Sequence, residues 1–391
     1  MQRVYLDNAA TTKVRPEVIQ AMLPAFSEFY ANPSSLHTYA QEAKKLIEDA
    51  RVKVQKAINA ASPEEIIFTG GGSESDNTVL RGVLSLNTKK GNHIITTQVE
   101  HHAILHTLEA MQHEGIADVT YLPVDEYGMV SADDVRNAIR PDTVLVSVMF
   151  ANNEVGTIMP ITEIGKICRE NNVLFHTDAV QAVGHLPIDV QAMNIDFLSL
   201  SGHKFHGPKG IGALYCRKGL RFSPLILGGA QEKKKRAGTE NVPGIVGLGV
   251  AIEYATEHMK EAADHMLRLR NKLIDGIEDR IPDVKLNGHR TCRLPNNVNF
   301  SIKYIEGESI LLMLDINGIA ASSGSACTSG SLDPSHVLLA MGLKHETAHG
   351  SLRLTLSEYT TEQEIDYVLE VLPQIVERLR AMSPLYHGGN K

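Results

Sequence analysis

FLSLSGHKFHGPKGIGALY, residues 197–215, shows the plan of the fold on a small scale. An apolar run, Phe197 to Leu200, leads into a turn of small and basic residues, and a second run, Ile211 to Tyr215, follows. Runs this short between turn formers read as buried strands. Similar runs recur outward from it: Ile66 to Phe68, Ile94-Ile95, Val119 to Val124, Val144 to Phe150 and Val173 to Phe175. Helical patterns separate most of them, as in Glu42 to Ile58, where Ala43, Leu46, Ile47, Ala50 and Val54 form one stripe. His102 to Met111 and Ile161 to Glu170 read the same way. Strands alternating with helices predict an α/β fold, a mostly parallel sheet covered on both faces. Ligands in such sheets bind beyond the carboxyl ends of the strands. The chemistry-bearing residues should therefore follow the apolar runs.

From Pro243 a helical pattern continues towards Ile281. After it come a strand (Asn297 to Lys303), a helix (Ser309 to Leu314), a strand (Leu352 to Leu356) and a final helix from Thr361. We expect a large α/β domain over 15–260 and a small α+β domain made of 1–14 and 261–391. A net charge of −8 and a pI near 6.1 give no general attraction for nucleic acid or anionic membranes. The opening MQRVYLDNAATT lacks the apolar core of a signal peptide, and no apolar run has the length of a membrane span, so a cytoplasmic protein is expected. Cys168, Cys216, Cys292 and Cys327 are far apart and show no metal-ligand spacing, so no metal site is expected.

Four strand-end segments carry the chemistry. In Thr69-Gly70-Gly71-Gly72-Ser73, glycines and a hydroxyl at a helix start suit a phosphate, although the same residues read equally well as a turn with a serine cap. Asp178, after Val173 to Phe175, suits a protonated pyridine nitrogen, and Gln181 the phenolic oxygen of that ring; a helix-capping Asp is the plainer alternative. Lys204, amid Ser201, Gly202, His203 and Gly207, is oddly placed for a solvated charge. A desolvated lysine is a nucleophile toward aldehydes, so Lys204 reads as the Schiff-base lysine of pyridoxal 5′-phosphate, with Lys209 as its competitor. Ser201 and His203 would touch the phosphate. Thr239, beside the basic run Lys233 to Arg236, would add a contact from this chain or a partner chain. His101, after Ile94-Ile95, suits stacking on the ring, and Asn153 suits the ring oxygen or the substrate.

Taken in order, the chain resembles the cysteine desulfurases of the class V aminotransferase-like family. The segments are YLDNAATT (5–12), NPSSLH (32–37), SESDN (73–77), VEHHAIL (99–105), ANNEVG (151–156), HTDAVQ (176–181), SGHKFHGPKGIG (201–212), RAGTEN (236–241) and SSGSACTSGS (322–331). The resemblance implies the aspartate-aminotransferase-type (fold type I) architecture. It implies Lys204 as cofactor lysine, Asp178 as pyridine partner, Gln181 as ring-oxygen donor and His101 as the stacked, proton-transferring histidine. Gly72, Ser73, Ser201 and His203 match phosphate contacts, and Thr239 matches one lent by the second subunit of a homodimer. Arg353 matches the arginine gripping the substrate carboxylate, helped by Asn32 and Asn153.

Cys327 lies in a stretch with no large apolar side chain, so an exposed thiol is expected there, whereas Cys168 and Cys216 read as small buried hydrophobes. The implied reaction takes sulfur from L-cysteine, leaving L-alanine and a persulfide on Cys327 for a scaffold protein that builds iron–sulfur clusters. The rivals are a selenocysteine lyase, another enzyme of the same cofactor class, and a non-catalytic sulfur-transfer scaffold.

Overall fold

The computed structural model describes residues 3–87, 89–323 and 334–386. Among them the strands are, in chain order, β1 (Val4–Tyr5), β2 (Ile66–Thr69), β3 (His93–Thr97), β4 (Asp118–Leu122), β5 (Thr143–Ser147), β6 (Leu174–Asp178), β7 (Phe197–Ser201), β8 (Gly212–Cys216), β9 (Val284–Leu286), β10 (Asn297–Ile302), β11 (Ile319–Ala320) and β12 (Ser351–Thr355). Seven form one sheet in the order β2-β8-β7-β6-β5-β3-β4. Neighbours are parallel except where β8 pairs with β2 and β7. The exception has a simple cause. Only residues 202–211 separate β7 from β8, and a parallel return needs a crossover of about a dozen residues or more. Gly212 starts β8 where backbones crowd: a Cβ there would sit 2.5 Å from the Leu200 carbonyl oxygen and 2.8 Å from Gly71 Cα.

Helices cover both faces, as the alternation predicts. On one face the helix Thr38–Ala57 buries Ala43, Ile47, Ala50 and Val54 against Leu248 and Ala251 of the helix Val242–Glu257. On the other, Val79 and Val83 of the helix Gly72–Leu86 meet Ile104 and Leu108 of the helix His102–His113. A separate apolar core lies under the three-stranded antiparallel sheet β12-β10-β9, where Phe300 and Leu352 pack on Leu273, Leu314 and Leu369 of three helices. Val4 and Leu6 join that core because β1 pairs in parallel with β11.

Two sequence expectations are corrected. The helical pattern from Pro243 is two helices, Val242–Glu257 and Met259–Arg280, broken at His258 (φ −105°, ψ 9°). No Gly or Pro marks the break; the His258 ring stacks on Tyr254 with centroids 3.9 Å apart and bonds the Tyr254 carbonyl at 3.0 Å. The run Val144 to Phe150 is regular only to Ser147, after which the chain stays pinned to β6 by Val148 N–H to His176 O and Phe150 N–H to Asp178 O. Among the described residues no helix is long and apolar enough to cross a membrane.

Candidate active site

The carboxyl ends of β2, β6 and β7 converge on a cavity of about 380 Å³ whose lining includes Gly72, Ser73, Asp76, His101, Asn153, Asp178, Gln181, Ser201, His203, Lys204 and Arg353. Lys204 ends a single 3₁₀ turn, Gly202–Lys204, directly after β7. Its Nζ donates to the carbonyls of Ala9 (2.5 Å) and Ala10 (3.0 Å), and Gln181 Nε2 donates to the same Ala9 carbonyl at 3.0 Å. Thr12 N–H and Oγ1 both donate to the His203 carbonyl at 3.0 Å. The YLDNAATT stretch thus forms a wall of the pocket, and its alanines let the backbone come close.

The phosphate-like cradle is built differently from the serine-capped turn. Gly71 (φ +151°) is the cap position of the helix Gly72–Leu86, no side chain caps that helix, and Ser73 lies in its first turn. A Cβ on Gly72 would sit 2.6 Å from Val180 Cγ2, so the close approach excludes a side chain. An adjoining hollow of about 470 Å³ is lined by Gly71, Ser73, Ser201, His203 and Lys209. Amides at an uncapped helix start, with the helix dipole behind them, suit an anion.

The interior carries more acid than the sequence suggests. Asp178 Oδ1 accepts Val180 N–H at 2.9 Å, so it does cap a turn, yet its carboxyl also lines the cavity. Burial raises its pKa to about 6, opposed by the Val180 N–H and by the Lys204 charge. Asp76, which sequence reasoning missed, is 1% exposed; burial and then the Asp178 charge hold its pKa well above the usual carboxylate range. Its signal was present, since position 76 follows Gly72 by one helical turn and must point to the same side. Glu100 is fully buried, with Oε1 accepting from Thr97 Oγ1 (2.7 Å) and Met149 N–H (3.0 Å) and Oε2 without a partner; burial raises its pKa to about 8. His101 caps the helix His102–His113, its Nδ1 accepting Ala103 N–H at 3.1 Å. Burial, then the Lys204 charge, lowers its pKa to about 4, so it is neutral at pH 7 with the ring proton on Nε2.

Arg353 reaches the cavity from β12. It is 2% exposed, donates to Asn153 O and to Asp7 Oδ1 at 3.0 Å each, and its buried Nε has no partner. Two candidates lie apart from the cavity: Asn32 is exposed and accepts Ser34 N–H at 3.0 Å, and Thr239 is exposed on its loop. Cys168 and Cys216 are buried and Cys292 is exposed. Cys327 lies outside the described residues.

With this geometry in hand, the comparisons agree. The family model described as aminotransferase class-V matches residues 4–368. Among solved structures, a NifS-like protein superposes with a TM-score of 0.91 at 41% identity, covering 97% of this chain and all of that one. A structure titled SspA in complex with cysteine reaches 0.81 at 39% identity over 92% of this chain and 100% of that one. Curated relatives include a cysteine desulfurase IscS of Clostridium botulinum, 60% identical over 98% of this chain and 97% of its own length. One of the same name from Methanosarcina thermophila is 59% identical over 98% and 94%. The fold and the match define a pyridoxal 5′-phosphate enzyme of fold type I. The chain belongs to the class-V aminotransferase family and, within it, to the cysteine desulfurases.

The residues present fit that cofactor. The cavity has the volume of a small-molecule site. A primary amine, a buried carboxyl that wants a cation, and an uncapped helix start barred to any Cβ occupy separate parts of its wall.

Proposed function

We propose that this enzyme takes the sulfur of L-cysteine, releases L-alanine and leaves a persulfide on Cys327. The observation that carries the reading is the convergence of Lys204, Asp178, His101 and Arg353 on one cavity. Lys204 is the amine that would hold the cofactor's aldehyde, and Gly72, Ser73, Ser201 and His203 would hold its phosphate. Asp178 would pair with the ring nitrogen, Gln181 with the ring oxygen, and His101 would lie over the ring. When bound, the cofactor supplies an electron sink that makes the substrate's α-proton acidic. The Lys204 amine, next to the substrate's α-carbon in this cavity, would be the base that takes this proton. Arg353, already desolvated, grips the substrate carboxylate together with Asn153. Neutral His101 would offer its Nε2–H as a hydrogen-bond donor towards the bound ring and substrate, because Nδ1 is occupied by Ala103 N–H. The substrate's C–S bond breaks and an S–S bond forms on Cys327. Of the two thiol hydrogens, one remains on the terminal sulfur and the other is replaced by the proton gained at Cβ, so the products are alanine and a persulfide.

The same proposal includes a homodimer, the division into domains over 15–260 and over 1–14 with 261–391, a cytoplasmic location, and delivery of sulfur to an iron–sulfur scaffold protein. In favour of the dimer, Leu23, Phe26, Tyr30, Leu36 and Tyr39 are each more than half exposed in the segment that carries Asn32. Asn32 and Thr239 would then complete the partner's site rather than their own. The test is Cys327→Ser. The variant should keep the visible band of the bound cofactor and lose sulfide release from L-cysteine; release at the wild-type rate would refute the reading.

A further inference from the structure

The turns that carry His101 and Asn153 are one frame. Asn152 Nδ2 donates to the Val99 carbonyl at 3.0 Å, and its Oδ1 accepts the N–H groups of Glu154 and Val155 at 2.9 Å each. Glu100 Oε1 accepts Met149 N–H at 3.0 Å, tying the two turns a second time. From the other side, Asn297 and Asn299 of β10 donate to the Glu154 carbonyl at 3.1 and 3.0 Å. Nothing in the reaction described above uses the Glu154 side chain, although it is only 3% exposed.

What Glu154 does hold is Ser335. Ser335 Oγ donates to Glu154 Oε2 and accepts Leu338 N–H at 3.2 Å, capping the helix His336–Ala340. The hydroxyl's proton goes to a carboxylate that can only accept, and the amide occupies a lone pair. One residue on, His336 Nε2 donates to the Glu100 carbonyl at 3.0 Å, and its ring packs on His102 with centroids 4.6 Å apart. On the upstream side, Ser322 and Arg353 exchange backbone hydrogen bonds, Arg353 N–H to Ser322 O at 2.6 Å and Ser322 N–H to Arg353 O at 3.2 Å. Cys327 lies in sequence between these two fastened points.

We propose that Glu154 and His336 are positioning residues for sulfur transfer: they fasten the chain that follows Cys327 onto the frame that carries His101 and Asn153. The proposal rests on the assignment of the persulfide to Cys327. Its physical content is that a reaction between two groups is only as frequent as the orientation of the chain on either side of them allows. Loosening one anchor costs orientation at the reacting atoms without touching cofactor or substrate. The two fastenings are not equivalent. Glu154 with Ser335 is a buried, charge-assisted bond, whereas the His336 imidazole is half-buried and bonds a neutral carbonyl, so the first should matter more.

The test uses the holoenzyme and follows, in a single turnover with L-cysteine, the appearance of persulfide on the Cys327 peptide by mass. In Glu154→Ala and in Ser335→Ala this rate should fall on the order of 10- to 100-fold. The cofactor's visible absorbance and the cysteine concentration giving half-maximal change in that absorbance should stay at wild-type values. The double variant should be no slower than the slower single one, because both remove the same bond. Glu154→Gln should restore most of the rate, since an amide oxygen still accepts from Ser335. His336→Phe, which keeps the ring packing and loses the bond, should give a smaller loss. Wild-type persulfide rates in both alanine variants, additive losses in the double variant, or a parallel loss of cofactor would overturn the positioning role while leaving Cys327 as the acceptor. A wild-type enzyme whose Cys327 never gains sulfur would overturn both.

Discussion

The two walls of the cavity are built in different ways. On the Lys204 wall, Asp178, Ser201 and Lys204 stand at or just past the carboxyl ends of two adjacent parallel strands of the large sheet, so each is placed by a few residues of local chain. On the Arg353 wall, the guanidinium projects from a different sheet with its own core and is held by Asp7 and Asn153, which lie 346 and 200 residues away in sequence. The difference separates two tasks. On the proposed assignment, holding the cofactor would belong to the large sheet, and gripping the substrate would require that the second core be docked in register.

Breaking the first wall should have the largest effect. Lys204→Ala should abolish the visible band and lower turnover on the order of 10³-fold or more, because on the proposed assignment it removes both the covalent attachment and the base. Absorption spectra and alanine release measure both. A retained, reducible cofactor would move the assignment to Lys209. Breaking the second wall should leave that band alone. Arg353→Ala should raise the KM for L-cysteine by roughly 10- to 100-fold, the worth of a charged hydrogen bond, with cofactor content unchanged. Loss of cofactor in that variant would show that the walls are not separable.

The smallest effect concerns the buried acid next to His101. Glu100 holds its proton to about pH 8 when folded but releases it near the ordinary 4.5 when unfolded. Its burial therefore supports the fold below pH 4.5, and this support is lost as pH rises towards 8. Glu100→Gln, neutral throughout, should flatten the fall in melting temperature between pH 5 and pH 8. The difference at pH 8 should be about 2–4 °C, and calorimetry at the two pH values measures it. Equal slopes would mean that Glu100 titrates normally.

The contrast between the walls also explains what could be read from the chain. Lys204, Asp178, Ser201 and His101 were legible because each follows an apolar run, and a parallel sheet directs strand ends to one edge. The carbonyls of Ala9 and Ala10 were not legible as lysine acceptors, since they meet Lys204 across 195 and 194 residues and alanine announces no chemistry. Asp76 was hidden by the serine reading of its helix start. The break at His258 was hidden because a stacked imidazole, rather than Gly or Pro, ends the helix. Arg353 was assigned by resemblance alone; nothing in Ser351-Leu352-Arg353-Leu354 separates it from an ordinary strand arginine.

The most direct test of the account follows sulfur itself. The wild-type holoenzyme is incubated with L-cysteine under thiol-poor conditions, and the peptides bearing Cys168, Cys216, Cys292 and Cys327 are weighed beside the alanine released. The account predicts one added sulfur atom on the Cys327 peptide, none on the other three, and one alanine for each sulfur in the first turnover. Sulfur on Cys292, or alanine formed with no sulfur on any cysteine, would contradict it.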